Sequence, residues 1–278
     1  MIIVNDEEYK IFDAHTHFSN LIARPLKFIL KYLSIYEIID LIFANWKQIK
    51  GRTDSRKEKN VELFKLVLDY YHIDKAINLP VFKLDRSLSY KMNKLYPEKM
   101  IGFGYINPRS RHLKEDLKEL KQKGVKGIKI HPDFMKFNFR KQKEELLDIF
   151  RYCANYKILV LSHTGSHSEI KNIIPLLKKS DETKFVIGHS GLCPQIQHAL
   201  DVARTCPNTF LEISGNPYIF RFMEAIKDPD IGIEKILFGS DLPSLNPRVE
   251  IQKILSLDIS KAERKLIFSE NIKRILNE

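Results

Sequence analysis

Short runs of apolar, often β-branched residues alternate with amphipathic stretches along most of this chain. The runs fall at residues 10–17, 75–80, 100–107, 125–130, 158–163, 185–189, 209–214 and 236–240. Each has the length and composition of a buried strand. Between them, stretches such as 113–122, 144–156 and 170–179 carry apolar residues three and four apart, the stripe a helix lays against a sheet. Glycine and proline punctuate the strand exits, at Pro80, Pro108, Pro132, Gly191, Gly215, Pro217 and Pro243. Ser260 followed by Glu263 is a capping-box pattern and predicts a closing helix that runs to about Asn277. Eight strand-then-helix repeats predict an α/β protein, a (β/α)8 TIM barrel, with an open doubly wound sheet as the alternative.

One interruption stands out. The segment 18–60 is longer than a single crossover helix needs, so a helical insert is expected after the first strand. Within it, residues 25–46 read as helical, with Tyr32, Ile35, Ile39, Ile42 and Trp46 at helix spacing. The insert leaves the first strand at the rim of the barrel, where it would either cap the mouth or pack against the side. No second domain or internal repeat is visible, and 1–278 reads as one catalytic domain.

Composition narrows the class. Hydrophobic residues make up 44% of the chain, enough for a large core. The most apolar stretch, 28–46, is broken by Lys31, Glu37 and Asp40, so no membrane span is expected. The first residues lack a basic, apolar leader pattern. Cys153, Cys193 and Cys206 are odd in number and unpaired in spacing, which favours free thiols in a reducing cytoplasm. The formal charge of +11 raises a nucleic-acid partner, but the lysines are dispersed beside glutamates, as in 114–121. Only 47–59 forms a basic cluster. The charge is better suited to drawing in a small anionic substrate; a homodimer is left open.

The candidate chemistry sits at the ends of the strands. Five of the nine histidines, His15, His17, His131, His163 and His189, terminate predicted strands, and Asp241 does the same. Imidazoles and a carboxylate converging at strand ends suit a divalent transition metal. Residues two apart on a strand share a face, so His15 and His17 can grip one ion. His163 would add a third nitrogen and Asp241 an oxygen, leaving a position for water. His189 is placed to bind a second metal or polarise a carbonyl, and Asp241 to move a proton. His131 shares a face with Lys129 and is a candidate substrate contact. Arg248, just after the last strand, could bind an anionic group.

These residues also carry a resemblance. Asp13-Ala14-His15-Thr16-His17, Gly127-Ile128-Lys129-Ile130-His131-Pro132, Ser162-His163-Thr164-Gly165, Gly188-His189-Ser190-Gly191 and Phe238-Gly239-Ser240-Asp241-Leu242-Pro243 look like the amidohydrolase superfamily. The closest likeness is to its amidohydrolase-related group, which includes aminocarboxymuconate-semialdehyde decarboxylase-like enzymes. The resemblance covers nearly the whole chain. It implies a metal-dependent hydrolase type of barrel, with a metal held by His15, His17, His163 and Asp241, and a catalytic role for His189. In binuclear members a lysine on the fourth strand is carboxylated and bridges two ions. If Lys129 plays that part, His163 and His189 would hold the second metal.

The first expectation is therefore a metal-dependent hydrolase that turns a metal-activated water on an amide, lactone or ester of a small anionic molecule. The alternative is a metal-dependent, non-oxidative decarboxylase of a small carboxylic acid. One Zn2+ is expected, two if Lys129 is carboxylated, with Mn2+ or Fe2+ as other candidates.

Overall fold

The computed structural model describes residues 1–4, 6–18, 56–165 and 168–278. The helix expected at 25–46 lies outside them. The chain opens with a small antiparallel hairpin, β1 (Ile2–Val4) and β2 (Glu7–Tyr9). Three parallel strands follow in order: β3 (Phe12–Thr16), β4 (Lys75–Asn78) and β5 (Met100–Gly102). Six more pair in sequence order: β6 (Gly104–Tyr105), β7 (Gly127–Ile130), β8 (Leu159–His163), β9 (Phe185–Gly188), β10 (Thr209–Glu212) and β11 (Ile236–Leu237).

Two seams join these sheets into a closed (β/α)8 barrel. Only Phe103 separates β5 from β6, and its N–H donates to Asn78 O at 3.0 Å, so both are parts of the third barrel strand. At the other seam, Ala14 N donates to Phe238 O at 3.0 Å, Asp241 N to His15 O at 2.7 Å, and His17 N to Leu242 O at 2.6 Å. The last predicted strand, 236–240, is thus a ladder over only two residues, continued by irregular bonds to β3. The hairpin was not expected, because three-residue strands leave no readable period.

The barrel strands are buried on both faces, as parallel strands covered by helices must be. Leu159, Leu161, Val186, Phe210 and Leu237 gather with Phe12, Ile77, Ile101 and Phe103 in one cluster inside the barrel. Their neighbours Ile128, Ile130, Val160, Ile187, Leu211 and Ile236 belong to the outer layer against the helices. Helix Lys143–Asn155 contributes Leu146, Leu147, Ile149, Phe150 and Cys153 to that layer. Ile272, Ile275 and Leu276 of the closing helix join the inner cluster and plug the end of the barrel where the strands begin. That helix starts at the predicted capping box, with both Ser260–Glu263 bonds formed. All three cysteines are free, Cys193 alone being exposed.

The same two-residue alternation sets the site. Following the inward positions to the strand exits leads from Gly127 to Lys129 and His131, from Leu161 to His163, and from Phe210 to Glu212. The polar side chains that replace the apolar core therefore all meet at the C-terminal mouth, where barrels of this kind keep their chemistry.

Candidate metal centre

β3 shifts register between Asp13 and Thr16, and both of its histidines turn to one point. Their Nε2 atoms lie 3.0 Å apart. Asp241 Oδ1 is 3.7 Å from His15 Nε2 and 3.4 Å from His17 Nε2. Metal bonds of about 2.1 Å place neighbouring donors roughly 3.0–3.4 Å apart, so two edges of this triangle match a coordination face and the His15–Asp241 edge is a few tenths of an ångström wide.

The hydrogen bonds behind the rings make a stronger test of fit. His15 Nδ1 faces Glu212 Oε2 at 2.5 Å, and His17 Nδ1 faces Leu79 O at 2.7 Å. Both acceptors require an N–H at Nδ1, which leaves a lone pair on each Nε2. Burial holds both imidazoles well below their usual pKa, and the nearby Lys129 lowers them further. Two neutral imidazoles thus point lone pairs at each other across 3.0 Å. That arrangement is repulsive unless a positive charge stands beside the two nitrogens; Lys129 Nζ lies 3.1 Å from His15 Nε2, and a metal ion shared by both would relieve it fully.

Glu212, which sequence reasoning passed over, organises the centre. It is fully buried. Besides His15, it accepts from His189 N (3.0 Å), Ser214 N (2.6 Å) and Ser214 Oγ (3.0 Å). Ser214 in turn meets His189 Nδ1 through both its carbonyl oxygen (3.0 Å) and its hydroxyl (2.9 Å). One carboxylate therefore fixes a candidate ligand and the candidate acid–base residue together. Its visible signal was an acid inside the buried run 209–214. Gly239 makes room for it: a Cβ there would sit 2.3 Å from Glu212 Oε1 and 2.8 Å from His15 Cβ. Asp13, also buried, accepts from His15 N (3.0 Å) and Ser240 N (2.9 Å), tying the first strand to the last.

Lys129 is fully buried, with Nζ 3.1 Å from His15 Nε2. Burial lowers its pKa, while the carboxylates of Asp241 and Glu212 oppose the shift. Burial raises Asp241, against the pull of Lys129. His189 is pushed down to about 4 by burial, with Glu212 opposing. The ligand atoms of His15, His189 and Asp241 lie within 4.8 Å of one another. His189 and Asp241 also hold left-handed backbone angles, φ 63° and 55°. Such strain in non-glycine residues gathers at functional sites.

The other predicted residues lie elsewhere. His163 Nε2 is 4.0 Å from Asp133 Oδ2, and His131 Nδ1 is 3.9 Å from the same oxygen. The two rings stack at 4.0 Å with planes 9° apart. Imidazole lone pairs lie in the ring plane, so parallel rings cannot both aim at one ion without turning. His163, expected beside His15 and His17, is thus paired with His131, and its ring is 4.8 Å from that of His189. Arg248 is exposed, its guanidinium lying over the rings of Tyr70 (4.9 Å) and Tyr71 (5.5 Å). Cation–π packing accounts for that placement. From the centre a file of rings runs outward: His15, His189, His163, His131, Phe134 and Phe82, each next to the one before.

A closed barrel with imidazoles and a carboxylate gathered at its mouth defines a class of metal-dependent enzyme. A family model described as amidohydrolase matches residues 68–277, and the chain belongs to that family. No curated protein sequence matches it. Solved structures do. An uncharacterised TIM-barrel protein from Bordetella bronchiseptica superposes with a TM-score of 0.72 at 19% identity, over 96% of this chain and 98% of its own. A probable 2-pyrone-4,6-dicarboxylic acid hydrolase from Acinetobacter baumannii, holding citric acid, gives 0.65 at 15% identity over 97% and 100%. A dihydroxybenzoic acid decarboxylase from a Polaromonas species, with bound manganese, gives 0.64 at 14% identity over 97% of each chain. Other matches are decarboxylases of 2,6-dihydroxybenzoate and 5-carboxyvanillate. At these identities the likeness is one of fold. Among the described residues, no helix is long and apolar enough to cross a membrane.

Proposed function

We propose that this chain is a metal-dependent, non-oxidative decarboxylase of a small unsaturated or aromatic carboxylic acid. The observation that carries the reading is the pair of imidazole nitrogens facing each other at 3.0 Å with Asp241 beside them. The choice of reaction is supported by the aromatic-acid decarboxylases among the structural matches. It reverses the order expected from the sequence, which put hydrolysis first.

His15, His17 and Asp241 would hold the ion, with His163 as the further donor that the resemblance implies. A divalent ion there, manganese or zinc, would supply Lewis acidity for a substrate carboxylate. The chain's own residues do the rest. Asp241, raised by burial, holds the proton that replaces carbon dioxide on the substrate carbon: the carbon–carboxylate bond breaks, and its electron pair takes up that proton. His189 lies beside Asp241, their ligand atoms within 4.8 Å, and would relay a proton to it from solvent. Its Nδ1–H is fixed on Ser214 O, so Nε2 would take that proton up and pass it on. Lys129 stays uncarboxylated in this reading; burial disfavours its charged form, while the neighbouring Asp241 and Glu212 favour it.

A second reading, hydrolysis of a lactone at the same centre, is favoured by the likeness to the pyrone dicarboxylate hydrolase. One panel separates them. Manganese-loaded protein is expected to release carbon dioxide from hydroxylated benzoates and to leave pyrone lactones closed. Ring opening without carbon dioxide would replace the first reading by the second.

A further inference from the structure

His189 begins a turn that its own residues do not favour. His189, Ser190, Gly191 and Leu192 have φ of 63°, 45°, 80° and 48°, four left-handed residues in a row. Non-glycine residues keep such angles only where their surroundings impose them. Thr164 grips one side of the turn: its hydroxyl donates to Gly188 O at 2.6 Å and accepts from Gly191 N at 2.8 Å. The loop 213–216 grips the other. Ser214 O and Oγ meet His189 Nδ1, and Asn216 Nδ2 donates to His189 O at 3.2 Å. That loop is itself held from behind, by helix Pro247–Leu255. Glu250 and Lys253, one turn apart on it, form an ion pair, with Glu250 only 4% exposed. Lys253 Nζ donates to Ile213 O at 3.2 Å and to Asn216 O at 3.1 Å, and Glu250 Oε2 accepts from Gly215 N at 3.2 Å.

We propose that Glu250 and Lys253 are positioning residues for His189, acting through the loop 213–216. The pair bonds to the residues on both sides of Ser214, the one whose carbonyl takes the His189 Nδ1–H. Holding that carbonyl in place fixes the tautomer and aims Nε2 at the centre. A buried ion pair confers little stability over well-packed apolar residues of the same size. Its polar atoms here are spent on the loop backbone, and among the described residues neither side chain bonds to His15, His17 or Asp241. The inference rests on the proton-handling role given to His189 in the proposed function, not on which substrate bond breaks.

Lys253→Met tests this in manganese-loaded protein, with the hydroxylated benzoate or pyrone lactone that the wild type turns over. Its kcat is expected to fall about tenfold, part of the roughly 10²–10⁴-fold that general acid–base catalysis contributes, with KM and bound metal unchanged. Glu250→Gln combined with Lys253→Met leaves no buried charge unpaired; it stands in should the single variant fail to fold, and the same loss is expected. Nitrogen NMR of histidine-labelled, zinc-loaded protein reads the ring itself, its signals identified by their loss in His189→Gln. Wild type is expected to show His189 as the Nδ1–H tautomer alone. The variants are expected to show about a tenth or more as Nε2–H, the scale of one weakened hydrogen bond. An unchanged kcat or an unchanged tautomer in a folded, metal-replete variant overturns the proposal, as does metal loss from both variants. A lowered melting temperature with neither readout moved makes the pair a structural brace and overturns it too. Should wild type turn over neither substrate, the proposed function fails, and the tautomer alone decides the positioning.

Discussion

Two histidine clusters share the barrel mouth, and they are built on opposite principles. In the first, His15 and His17 are each tethered through Nδ1, so that their Nε2 atoms converge at 3.0 Å on Asp241. In the second, His131 and His163 lie face to face, planes 9° apart, with Asp133 about 4 Å from both. Either set of residue types could hold a metal. Orientation separates them: the first pair converges on one point, whereas parallel rings cannot both aim at one ion without turning. What sets that orientation is the hydrogen bond on the far side of the imidazole, which residue identity does not reveal.

The largest effect should come from cutting the first cluster. Asp241→Asn is expected to lower decarboxylation about 10³-fold and to leave the purified protein without stoichiometric metal by elemental analysis. Asp133→Asn, its counterpart in the second cluster, is expected to keep a full complement. Metal loss in Asp133→Asn with retention in Asp241→Asn would exchange the two roles. Next comes the tether. Glu212→Gln is expected to weaken manganese binding about 10- to 100-fold in competition with a chelator, the usual consequence of altering the carboxylate behind a ligating histidine. An unchanged affinity would mean that His15 is not a ligand.

A smaller and broader effect concerns pH. Burial depresses His15, His17, His163 (to about 2) and His189 (to about 4). Below pH 6.5 the unfolded chain takes up protons at these rings that the folded chain does not. The stability they confer is complete above about 6.5 and is lost as pH falls toward the folded values, by up to about 1.4 kcal/mol per pH unit for each ring. The melting temperature of metal-free protein is expected to drop from pH 7 to pH 5. Manganese is expected to raise it in wild type and in Asp133→Asn but not in Asp241→Asn. A flat profile over that range would mean that the rings are not buried and neutral.

The barrel was readable because each strand is a continuous apolar run ended by glycine or proline, and the closing helix because Ser260 and Glu263 stand three apart. The candidate centre was readable because His15, His17, His189 and Asp241 break those runs at their exits. Glu212 escaped notice because an acid between Leu211 and Ile213, with Ser214 two further on, looks like the solvent face of a strand; inside a closed barrel that face, shared with Phe210, looks to the centre. The stack of His131 on His163 escaped for another reason. It depends on how the turn 131–135 folds back, with Met135 N bonded to His131 O at 2.9 Å. Arg248 meets Tyr70 and Tyr71 from a distant part of the chain, and no local pattern announces such a contact. The alternation that made the strands legible says which face a side chain takes, not what its ring turns toward.

Anomalous scattering from crystals of the manganese-loaded protein, collected at the manganese edge, bears most directly on the account. A single strong peak within coordination distance of His15 Nε2, His17 Nε2 and Asp241 is the predicted result. A peak between His131, Asp133 and His163, with none beside His15, would contradict it.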